Sequence, residues 1–198
     1  MFKPEESALL APRRDGVAGN GRLTAALGAL LLVLLAAEGM TIPFLGQLRE
    51  EHILIGMLLL GPVAAKLAST GYRFSRYYLG SPAYVSKGPP QIALRLLAPG
   101  VIFTTVALFG TGVALLLVGP NDQLDFLHKA SFIAWFALMT IHVLGHILEL
   151  PGSAFADWRR TVGPRLSGAG LRRAAVAAAL AIGVVLALLS FSAAGSWG

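Results

Sequence analysis

Five long apolar blocks constrain this chain more than any other feature. They run over about residues 23–45, 51–72, 96–118, 126–150 and 174–193. Each is close to the roughly 20 residues that carry an α-helix across about 30 Å of hydrocarbon. Lipid offers the backbone no hydrogen-bond partners, so segments of this length satisfy their own N–H and C=O groups only as helices. The expected fold is an all-α integral membrane protein with five transmembrane helices. Residues 1–22, polar and interrupted by Pro4, Pro12, Gly16 and Gly19, read as a flexible cytoplasmic tail, and residues 23–194 as a transmembrane helical bundle. A basic stretch precedes the first block, as in a signal peptide, but the block is long and reads as a signal anchor that stays.

Composition agrees. Hydrophobic residues make up 56% of the 198 and charged residues only 13%, against about a quarter in a soluble domain. With no cysteine, disulfides, thiolate zinc sites, iron–sulfur ligation and covalent haem attachment are excluded. The net charge of +6 is not laid out as a basic stripe interleaved with aromatics, so no nucleic-acid partner is expected.

The basic residues sit at the ends of the blocks instead. With the N-terminus in the cytoplasm, inner segments hold Lys3, Arg13, Arg14, Arg22, Arg73, Arg76, Lys87, Arg95, Arg159, Arg160, Arg165, Arg172 and Arg173, and outer segments hold only Arg49 and Lys129. That asymmetry follows the positive-inside rule and suits a multi-pass protein of the inner (cytoplasmic) membrane. The stretch between Arg73 and Arg95, with Tyr77, Tyr78 and Tyr84, reads as an interfacial segment on anionic lipid.

Chemistry is concentrated in four histidines: His52, His128, His142 and His146. All lie in or at the edge of apolar blocks, where ionisable groups are costly and functional. His128 and His142 are 14 residues apart, which at 100° per residue puts them on one face, about 21 Å apart along the axis. The second and fourth blocks run in the same direction, so His52 and His128 share the outer depth. Two imidazoles at equal depth on different helices can ligate one iron from both sides. Gly56, one turn below His52, reads as room for a macrocycle, and Arg49 and Lys129 as cations for its propionates. Zinc or copper is the other metal reading. It is weaker, because Glu50, Glu51 and, more distantly, Glu38 are the only carboxylates at hand.

The inner level is less complete. His142 and His146 have no histidine at their depth on another block. The residue there is Lys66, which reads as snorkelling to the headgroups, pairing with Glu149 or holding a propionate. Met40 and Met57 read as packing.

The helix bearing His128 and His142, ending in His142-Val143-Leu144-Gly145-His146, resembles the fourth helix of bacterial membrane cytochromes b. These include the cytochrome b561 group and the cytochrome b subunits of formate dehydrogenases and nickel–iron hydrogenases. The resemblance covers about residues 23–150. It implies a four-helix haem-binding core, with His52 and His128 as outer ligands of haem b and His142 as an inner ligand of a second haem. The inner partner expected on the first helix is missing, since residues 23–45 contain no histidine. The resemblance also implies electron transfer between a quinone pool and a redox partner protein, as a subunit of an oxidoreductase rather than a self-contained enzyme.

Two other functions fit the same residues. One is a haem-free membrane anchor for a complex. The other is a small transporter or proton pathway using Lys66, His142, His146 and Glu149. No phosphate-cradling loop, nucleophile elbow or metalloprotease helix is present.

Overall fold

Every element of the computed structural model is helical among the residues it describes, which are 4–88, 92–146, 154–158 and 166–196. In chain order the helices are α1 (Pro4–Thr41), α2 (Arg49–Tyr78), the short α3 (Pro82–Val85), α4 (Ile92–Val118), α5 (Asp122–His146), α6 (Ala169–Leu189) and the short α7 (Phe191–Gly195). Five stretches are long and apolar enough to cross a membrane: Gly16–Phe44, Arg49–Tyr78, Leu94–Val118, Asp122–His146 and Ala169–Leu189. This is a multi-pass membrane protein. Large apolar side chains such as Val33, Phe103, Ile133 and Leu188 are exposed. A surface of this kind suits lipid rather than water.

The N-terminal segment departs from the expected tail. The chain is helical from Pro4, continuous with the first spanning helix. Val17 is buried, the Asn20 side-chain amide reaches the Ser69 carbonyl at 3.3 Å, and Arg22 pairs with Asp157 at 3.0 Å. Of the glycines that suggested irregularity, Gly19 lies against Arg172, whose guanidinium is 2.9 Å from where a Cβ would stand, and Gly16 would meet nothing within 4 Å. The second helix likewise runs on to Tyr78, past the expected end of its block, and stops before Gly80, whose φ of 75° only glycine adopts freely. In the fourth block, helix is described as far as His146, and residues 147–150 lie outside the described residues.

The spanning helices form two groups. α1, α2 and α6 pack together, α4 packs with α5, and the groups meet chiefly along α2 and α4. Within the first group, Thr24 and Ser69 share a hydrogen bond of 2.6 Å and Ser69 donates to Asn20 Oδ1 at 2.8 Å. In the second, the indole N–H of buried Trp135 donates to Thr105 Oγ1 at 3.1 Å. Bonds of this kind join helices in lipid, where polar groups have few alternatives. The site lies on the division between the two groups, where a side chain of α2 approaches one of α5.

Candidate functional site

His52 projects from α2 and His128 from α5, and their ring centroids are 6.4 Å apart with the planes at 85°. The expectation of equal depth on different helices therefore corresponds to two rings that face one another between the helix groups.

Each ring is held by its own group through Nδ1. The Thr41 hydroxyl lies 2.8 Å from His52 Nδ1. That hydroxyl donates its proton to the Glu38 carbonyl at 2.6 Å, so toward the ring its oxygen accepts. Glu38 Oε1 is 3.1 Å from the same nitrogen. On the other side, His128 Nδ1 is 3.2 Å from the Leu108 carbonyl, which can only accept. Thr111 Oγ1 lies 3.1 Å away and donates to the Ala107 carbonyl at 2.7 Å. With these oxygens as acceptors, the Nδ1–H tautomer satisfies each ring and leaves a lone pair on Nε2. Acceptors on Nδ1 fix a histidine's tautomer and the direction of its ring.

Two glycines lie at the site. A Cβ at Gly112 of α4 would stand 3.1 Å from His128 Cε1, so this glycine makes room for the ring. Its neighbourhood reads in sequence only as small residues for helix approach. A Cβ at Gly56 would stand 3.4 Å from Glu38 Oε1. Gly56 thus lies beside the Glu38 carboxyl at ordinary contact distance.

Of the two expected cations, Arg49 is exposed and lines a cavity of about 420 Å³ with Leu116, Leu117, Val118, Gly119, Pro120 and Ser196. Lys129 forms an exposed ion pair with Asp125 at 2.6 Å, a role one helical turn accounts for. Met40 is 72% exposed and turned away from the site.

At the inner level His142 and His146 stand together, with centroids 5.0 Å apart. Both belong to α5, so they do not oppose each other across the division as the outer pair does. His142 Nδ1 is buried without a hydrogen-bond partner among the described residues. Lys66 donates to the Thr24 carbonyl at 2.6 Å and so binds the α1 backbone. Glu149, its other expected partner, lies outside the described residues. Among the described residues no group of three or more His, Cys, Asp or Glu side chains gathers as a metal cluster. A zinc site built on several carboxylates is therefore not formed there, whereas axial ligation of a haem needs only two imidazoles.

No protein-family profile, curated protein or solved structure matches the chain.

Proposed function

We propose that this protein is a b-type cytochrome membrane subunit, with haem b held between His52 and His128. The observation that carries this reading is the opposed imidazole pair. Metal–imidazole bonds of about 2 Å, plus a ring radius of roughly 1 Å on each side, separate two axial rings by roughly 6 Å. The rings here are 6.4 Å apart, each tethered through Nδ1 to a different helix group. In this reading α1, α2, α4 and α5 supply the four-helix core, and α6 packs on α2.

A haem so held supplies one-electron chemistry. The protein's part would be to hold the group with His52 and His128 and to surround it with apolar helices. Arg49 at the outer rim is the cation placed for propionates. In this reading the N-terminus and the basic loops lie on the cytoplasmic side of a bacterial inner membrane and the paired site lies near its outer face. Electrons would pass between quinone and a redox partner protein. The inner level, with Lys66 in place of a second histidine-bearing helix, supports one haem rather than two.

The test is a reduced-minus-oxidised visible spectrum of the purified chain with a pyridine haemochrome assay. We expect a b-type signal at one haem per chain, lost in both His52→Ala and His128→Ala. A colourless protein from haem-replete cells would overturn the reading and leave the anchor or the polar pathway.

A further inference from the structure

Glu38 is an ionisable residue of a spanning helix that the proposed ligand set does not use. Carboxyl groups inside lipid are expensive and are kept for a reason. Its side chain is 16% exposed and meets His52 Nδ1 through Oε1 at 3.1 Å. Its other oxygen, Oε2, is buried with no hydrogen-bond partner, so among the described residues the ring of His52 is the polar partner of this carboxyl. Thr41, one turn further along α1, turns its hydroxyl oxygen to the same nitrogen. His128 is held differently: its Nδ1 meets a backbone carbonyl and a threonine hydroxyl, both neutral. The two rings thus differ in that His52 has a carboxyl at Nδ1.

We infer that Glu38 is a positioning residue that, through His52 Nδ1–H, makes His52 the more electron-donating of the two ligands and lowers the reduction potential of the site. This rests on the haem reading above. A carboxyl acceptor on Nδ1 raises the basicity of the ligating nitrogen, and a more basic axial ligand favours the oxidised iron. Thr41 fixes the ring through a hydroxyl, so the effect of a carboxyl acceptor belongs to Glu38.

Redox titration of full-length Glu38→Gln and Glu38→Asp tests this, with haem content and the low-spin EPR spectrum measured alongside. Glutamine keeps an acceptor oxygen without the acid. Aspartate withdraws the carboxyl by one methylene from a contact already at 3.1 Å. Both variants should hold haem, keep the EPR signature of perpendicular rings and show a raised midpoint potential. For glutamine the expected shift is about tenfold in the redox equilibrium, roughly 59 mV for one electron. A wild-type potential in either haem-loaded variant overturns the inference. If glutamine does not load, aspartate decides alone. A wild-type chain without haem removes the haem reading itself, whereas a haem-bearing wild type with unmoved variants removes only the role of Glu38.

Discussion

Gly183 of α6 directs a Cα hydrogen at the carbonyl oxygen of Leu58 of α2, in the position where any Cβ would collide with it. That carbonyl is the one Pro62 leaves without its helical N–H partner. The contact is reciprocal, because a Cβ at Gly61 would run into the Ala179 carbonyl and stand 2.7 Å from Gly183 N. Proline and glycine, helix-weakening in water, here allow a backbone-to-backbone crossing with weak Cα–H···O bonds. Backbone cannot swing aside as a side chain can. Gly61→Ala and Gly183→Ala should therefore each destabilise the protein by about 3 kcal/mol, read as a fall in the thermal unfolding midpoint in detergent. An unchanged midpoint in both would mean that α2 and α6 do not cross here.

How far the sequence discloses this arrangement depends on how local each feature is. The five spans are a property of each block alone, so hydropathy finds them. The depth match of His52 and His128 needs only orientation and helical rise, and both are legible. The acceptor for His52 Nδ1 is not, because Glu38 lies on another helix and nothing in its own block shows which way it turns. Gly112 illustrates the same limit: its smallness is visible, but that it accommodates a histidine ring appears only once α4 and α5 pair. The crossing at Gly61 and Gly183 joins helices far apart in sequence, so neither glycine's own block reveals it. Arg22 read as a basic flank of the tail because its partner, Asp157, sits beyond the fourth span.

Gly112 offers a test of the site that leaves both ligands in place. A single methyl there would stand 3.1 Å from His128 Cε1, a crowding that a shift of a few tenths of an ångström relieves. A branched side chain cannot be accommodated so. Gly112→Ala should retain haem, and Gly112→Val should lose most of it while its helix content by circular dichroism stays at the wild-type level. Full haem in the valine variant would show that the ring does not need this space.

The α4–α5 group carries His128, and Trp135 ties the two helices together. Its indole N–H donates to Thr105 Oγ1 at 3.1 Å, both residues are buried, and Thr105 passes its own proton to the Val101 carbonyl at 2.7 Å. Thr105→Val keeps the shape and removes the acceptor, leaving a buried donor unpaired. The expected cost is about 1–2 kcal/mol, whereas Thr105→Ser should be near wild type. Equal stability of the valine and serine variants in thermal unfolding would count against the bond.

Asp157 closes the inner end of the bundle. Its carboxylate takes two bonds from Arg172, at 2.5 and 2.8 Å, and one from Arg22 at 3.0 Å, and its side chain is only 3% exposed. It thereby joins the α1–α2–α6 group to the segment after the fourth span. The hydrogen bonds from Arg172 come first among the causes that hold its carboxyl below the ordinary 3.8, and Arg22 adds to them against the opposing effect of burial. A carboxyl whose folded pKa is depressed contributes stability above its unfolded value and loses it as pH falls through the folded one. Stability should thus be level near neutrality and decline once the pH drops below about 4. Asp157→Asn should cost about 3 kcal/mol at pH 7, since it leaves two guanidinium groups without their carboxylate. The gap between wild type and variant in denaturant unfolding should narrow as the pH is lowered below 4. A gap that stays constant down to pH 2 would assign the loss to shape rather than to charge.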